Sequence, residues 1–110
     1  MGKFVIYSLD NCYWSEKAKH LFINSKTKNK VINVNKNNKQ NYTKLMQTFP
    51  QIYYFTKTDR ALIGGYEDFV NVLTSKDIDF RIPPKNEKTL KSIKSKLEIE
   101  FSVVKDELLN

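Results

Sequence analysis

The sequence predicts an α/β fold, a four-stranded mixed sheet flanked by helices, with a C-terminal helical extension. Three observations predict it. Two β-prone runs near the start are each followed by residues at helical spacing, the alternation of a βαβ unit. A second pair of β-prone runs is joined by only a few turn formers, which is a hairpin signal. Beyond residue 86, apolar residues recur in steps of three and four, the stripe of an amphipathic helix.

Taken in order, Lys3–Ser8 is β-branched and aromatic and runs into the turn formers Asp10 and Asn11, as a buried strand does. From Tyr13 to Asn24, Trp14, Ala18, Leu21 and Phe22 fall at helical spacing, so Cys12 stands where a strand hands over to a helix. Val31–Val34 reads as a second strand, and Gln40–Gln47, with Tyr42, Leu45 and Met46, as a short helix. Pro50 ends that helix, because the residue before a proline is driven out of the helical region. Ile52–Thr56 and Ala61–Ile63, joined through Thr58, Asp59 and Arg60, form the hairpin. Gly64-Gly65 then precedes a helix at Tyr66–Thr74 that has Glu67 and Asp68 in its first turn. A right-handed βαβ crossover makes the first two strands parallel, and the tight turn makes the last two antiparallel. The extension contains Ile82-Pro83-Pro84, expected to be extended, and one helix over Glu87–Leu109 with Leu90, Ile93, Leu97, Phe101, Val104 and Leu108 on a single stripe. That helix is expected to pack on the domain rather than serve as a dimerisation or docking helix.

A length of 110 residues allows one core and excludes two full domains. Residues 1–76 are therefore read as the domain and 77–110 as its extension, without an independent core. No apolar stretch approaches the roughly 20 residues of a membrane span. The N-terminus lacks the longer apolar region of a secretory signal, so the expected location is cytoplasmic. Lys105–Leu108 spells a retention address, but Leu109 and Asn110 follow it, so it is not expected to be read. The net charge of +7 is concentrated between Lys26 and Lys44, where six lysines meet no acid. This reads as a solvated basic face, and nucleic acid is not an expected partner. One cysteine in the chain excludes an intramolecular disulfide and a zinc site, and agrees with a reducing compartment.

The candidate chemistry begins at Cys12. Unpaired N–H groups and the positive end of the dipole at a helix start favour a thiolate over a thiol. The motif is Cys12-Tyr13-Trp14-Ser15, with serine where a resolving cysteine would stand one turn on. Ser15 is placed to hydrogen-bond the thiolate and is unable to close a disulfide. Thr48-Phe49-Pro50 precedes a strand, where a cis proline would offer the Phe49 backbone to an extended peptide, although spacing alone favours a trans proline that starts an edge strand. Gly64-Gly65 before a helix permits close approach of a ligand, and free N–H groups there suit a carboxylate.

Together these residues resemble a glutaredoxin, a member of the thioredoxin superfamily, over about Lys3 to Leu73. The resemblance rests on Val5-Ile6-Tyr7 followed by Cys12-Tyr13-Trp14-Ser15, on Ala18-Lys19 with Leu21, on Thr48-Phe49-Pro50-Gln51-Ile52, and on Ile63-Gly64-Gly65-Tyr66-Glu67-Asp68-Phe69. It implies a thioredoxin-like fold in which Cys12 is the nucleophile within a motif completed by Tyr13, Trp14 and Ser15. It further implies that Thr48, Phe49, a cis Pro50, Gly64, Gly65, Tyr66, Glu67 and Asp68 bind glutathione. Two departures stand out. Many glutaredoxins carry a lysine or arginine three residues before the nucleophile, where this chain has Leu9; Lys39, Lys44 and Lys57 are the candidates to supply that charge from elsewhere. Ser15 makes the chain monothiol by count. His20 is read as a surface residue.

The resemblance implies a glutathione-dependent thiol–disulfide oxidoreductase of electron transport, acting on glutathionylated proteins as a monomer by a monothiol route. An alternative it implies is a dimeric carrier of a [2Fe–2S] cluster, held by one Cys12 per subunit and two glutathiones; otherwise no metal is expected. A non-catalytic interaction module using the helix at Glu87–Leu109 is the remaining alternative.

Overall fold

A computed structural model describes residues 2–75 and 77–110. The elements run β1 (Lys3–Leu9), α1 (Tyr13–Ile23), β2 (Asn29–Val34), a 3-10 turn (Lys39–Tyr42), β3 (Gln51–Phe55), β4 (Arg60–Gly64), α2 (Tyr66–Thr74), α3 (Glu87–Ile99) and α4 (Ser102–Leu109). The sheet order is β2-β1-β3-β4. β1 and β2 are parallel, with Ile6 beside Val31, while β1–β3 and β3–β4 are antiparallel, with Ile6 beside Ile52 and Tyr53 beside Leu62. This is a thioredoxin-like topology, a four-stranded mixed sheet flanked by helices with a C-terminal helical extension.

Strand alternation divides the apolar residues between two faces. On one face Phe4, Ile6, Ile52, Tyr54, Ala61 and Ile63 meet Ala18 and Phe22 of α1, Phe69 and Leu73 of α2, and residues of α3 and α4. Phe4 is fully buried and meets the rings of Phe22, Tyr54, Phe69 and Phe101 edge-on, at centroid distances of 5.0 to 6.0 Å. Such pairs contribute about 0.5–1.5 kcal/mol each beyond burial. The other face holds a smaller cluster of Val5, Met46, Tyr53 and Leu62, edged by Tyr7, Ile32, Phe55 and Ile82.

Two expected helices take a different form. In place of a helix over Gln40–Gln47 the chain makes one 3-10 turn. An α-helix there would pair the Tyr42 carbonyl with the Met46 N–H. The buried Gln51 side chain donates instead to the carbonyls of Tyr42 at 2.8 Å and Met46 at 2.7 Å. The expected single helix over Glu87–Leu109 is two, broken at Glu100 and Phe101. The carbonyl of Glu100 accepts the Lys26 N–H at 2.9 Å, and the bend drives Phe101 into the core beside Phe22 and Phe69, at 5.1 and 5.2 Å. As expected, the apolar stripe packs on the domain: Ile93, Leu97, Phe101 and Val104 are all buried in the main core.

Between α2 and α3, Ile82 forms an antiparallel bridge to Leu62 through two hydrogen bonds of 2.9 and 3.0 Å, laying the strap along the outer edge of β4. The strap is fixed a second time at Asp59. Its carboxylate accepts the N–H groups of Lys85 at 3.0 Å and Asn86 at 2.8 Å, joining the hairpin turn to the start of α3.

Candidate functional site

Asn11 takes a left-handed conformation, φ 58°, which asparagine tolerates better than most residues. That turn brings the chain off β1 and leaves Cys12 as the extended residue at the start of α1, where its carbonyl accepts the first helical N–H from Glu16 at 3.0 Å. The Cys12 thiol is half-buried and points back across the end of the sheet, with Sγ 3.9 Å from the Phe49 carbonyl oxygen to which it donates. Phe49 and Pro50 are buried, and the peptide bond between them is cis. Thr48 beside them is exposed.

The α2 end reaches the same place. Gly64 adopts φ 135°, a region that side-chain-bearing residues avoid, and a Cβ there would collide with the Asp68 carboxylate. The position of a Cβ on Gly65 is 3.5 Å from the Pro50 carbonyl oxygen and 3.4 Å from Met46 Cε. Asp68 Oδ2 accepts the Gly65 N–H at 2.8 Å, capping the first turn of α2. Tyr66 is half-buried and Glu67 exposed. The structure therefore brings Cys12, Phe49, Pro50, Gly65 and Tyr66 to one end of the sheet.

Aromatic side chains wall this end. Trp14 lies 5.6 Å from Tyr66 and 5.1 Å from Tyr13, ring centre to ring centre, and both Tyr13 and Trp14 are exposed. Lys17 Nζ stands 5.4, 5.5 and 5.2 Å from the centres of Tyr13, Trp14 and Tyr66, within cation–π range of all three. Sequence reasoning missed Lys17, although its spacing of four and three residues from Tyr13 and Trp14 places it on their helical face.

Ser15 is fully buried, and its hydroxyl oxygen accepts the Leu9 N–H at 3.1 Å. Of the lysines considered to replace the charge absent at Leu9, Lys57 follows the end of β3 remote from Pro50, some 17 Å away at about 3.4 Å per residue. Lys39 and Lys44 are exposed. Besides Lys17 at the Tyr66 ring, Arg81 reaches the α2 end, its Nε 3.3 Å from Asp68 Oδ2. Nothing in its local sequence marked it.

The expected alternative of a [2Fe–2S] cluster is overturned. Among the described residues no group of three or more His, Cys, Asp or Glu side chains is placed to hold a metal ion. The chain has a single thiol, and it is turned toward a backbone carbonyl. Iron in such a cluster is held by four thiolates in the usual case, and this end of the sheet offers one.

No protein-family model matches the chain, and no curated protein or solved structure matches it. The thioredoxin-like topology rests on strand order and register, and the chemistry on the side chains gathered around Cys12. Among the described residues, no helix is long and apolar enough to cross a membrane.

Proposed function

We propose that the protein is a glutaredoxin-like, glutathione-dependent oxidoreductase that removes glutathione from protein mixed disulfides. The observation that carries this reading is the position of Cys12 at the start of α1, with its sulfur 3.9 Å from the Phe49 carbonyl and the glycine turn of α2 adjoining Pro50. In this reading the Cys12 thiolate attacks the glutathione sulfur of the mixed disulfide. The Cys12–glutathione disulfide forms as the protein–glutathione bond breaks, and the departing protein thiolate takes up a proton. The thiolate of a second glutathione then attacks the glutathionyl sulfur, producing glutathione disulfide and restoring the Cys12 thiolate. Two glutathione units leave as one oxidised molecule, and the protein thiol is the reduced product.

Ser15 suits a route of this kind, which needs no resolving cysteine. Thr48, Phe49, Pro50 and Gly64 through Asp68 line the groove for the tripeptide, with Tyr13 and Trp14 at its rim. The redox module spans residues 1–76 and residues 77–110 are its extension. The reading places the protein in a reducing compartment such as the cytoplasm, with glutathionylated proteins as its partners.

The test is deglutathionylation of a mixed-disulfide substrate coupled to NADPH oxidation through glutathione reductase, comparing the protein with Cys12→Ser. The reading expects turnover that vanishes in the variant. Absence of turnover by the folded protein, or turnover retained by Cys12→Ser, would overturn it.

A further inference from the structure

The strap that follows α2 brings a side chain of its own to the site. Ile82 is fixed to Leu62 by two backbone hydrogen bonds and packs with Leu62, Val5 and Tyr53 on one face of the sheet. Neighbouring residues in extended chain point to opposite faces, so Arg81 is turned toward the side that carries α2. There its Nε meets Asp68 Oδ2 at 3.3 Å, the same oxygen that accepts the Gly65 N–H. A series of short contacts thus leads from the thiol to the guanidinium: Cys12 to Phe49, Pro50 to Gly65, Gly65 to Asp68, Asp68 to Arg81.

We propose that Arg81 is a specificity-determining residue of this site, its guanidinium taking the free α-carboxylate at the glutamyl end of glutathione. The proposal rests on the glutathione-dependent reading of Cys12. Three features of the structure carry it. Arg81 commits only Nε to the protein among the described residues, and its side chain is about half exposed, leaving its terminal nitrogens to pair with a carboxylate in the planar fork that arginine favours. Glu67 and Asp68 put two acids in the first turn of α2, which would repel a carboxylate if no cation offset them. Finally, those two acids suit the glutamyl end of the tripeptide, which carries an ammonium beside its carboxylate, over the glycine end, which carries a carboxylate alone.

The experiment uses the full chain and two substrates: a peptide glutathionylated on cysteine, and the same peptide carrying γ-aminobutyryl-cysteinyl-glycine, which lacks the α-carboxylate. Arg81→Ala is expected to raise KM for the glutathionylated peptide about five-fold, as befits a half-exposed charged contact, with kcat unchanged and partial recovery in Arg81→Lys. The decarboxylated adduct is expected to be used equally by the protein and by Arg81→Ala. An equal rise in KM for both adducts would assign Arg81 a purely structural role and overturn the inference, as would an unchanged KM in an active variant. If the unmodified protein fails to turn over either adduct, the glutathione reading falls and this inference falls with it. The two failures are therefore distinct.

Discussion

The hydroxyl oxygen of Ser15 accepts the backbone N–H of Leu9 at 3.1 Å, so the residue one turn beyond Cys12 secures the end of β1. The thiol takes its hydrogen-bond partner from another segment, the Phe49 carbonyl. Ser15→Ala leaves a part-buried N–H without its acceptor and is expected to cost about 1–2 kcal/mol, read as a lower urea midpoint, while Cys12-dependent turnover persists. Lost turnover at unchanged stability would show that the hydroxyl serves the sulfur.

Gly64→Ala places a Cβ at φ 135° and against the Asp68 carboxylate. Asp68 must swing away, and the Gly65 N–H loses its cap. The expected cost is about 1–3 kcal/mol, seen as a reduced melting temperature, together with a raised KM for the glutathionylated substrate. A variant as stable and active as the parent would show that the α2 turn is dispensable to the site.

Asp59 is expected to make the fold sensitive to acid. Hydrogen bonds from the N–H groups of Lys85, Asn86 and Arg60 and from the Thr89 side chain, that of Lys85 foremost, hold its pKa at about 2, below the ordinary 3.8, although burial opposes them. Because the folded value is the lower one, its stabilisation is present in full above about 3.8 and is lost as the pH falls toward 2. Asp59→Asn is expected to be less stable near neutrality and to lose less on acidification across that window. Parallel stability–pH curves for the two proteins would exclude Asp59 as the source.

Phe101 has no exposed surface and meets Phe4, Phe22 and Phe69 at 5.1 to 5.9 Å. Phe101→Ala is expected to cost about 3–5 kcal/mol. Removal of residues 85–110 should expose the same rings and leave a chain that binds hydrophobic dyes. A truncated chain with a cooperative melt like that of the full protein would show that the module folds without its extension.

The sheet was legible because each strand is a short β-prone run bounded by turn formers, and α1 and α2 because their apolar residues keep helical spacing. The gathering of Cys12, Phe49, Pro50 and Gly65 was implied by the resemblance to glutaredoxins; their places at element boundaries did not by themselves bring them together. Other features depend on partners distant in sequence. The 3-10 turn in place of a helix reflects a Gln51 side chain that competes for the Tyr42 and Met46 carbonyls. The break at Phe101 is silent in the periodicity, since the apolar stripe continues through it; what sets it is the pocket between Phe4, Phe22 and Phe69. Asp59 and Arg81 find their partners 26, 27 and 13 residues away, beyond the reach of any local pattern.

The bridge from Ile82 to Leu62 also governs how this sheet meets other chains. An uncovered outer strand is a template on which a foreign segment can extend the sheet or seed an aggregate. Here the β4 side is occupied at its middle by the protein's own strap, so strand addition is left to β2, the opposite edge. That edge carries Lys30 and follows Lys28, both exposed, and two copies brought together there would set lysine against lysine. One border is thus interrupted at Leu62 by the chain's own hydrogen bonds, and the other is lined with positive charge.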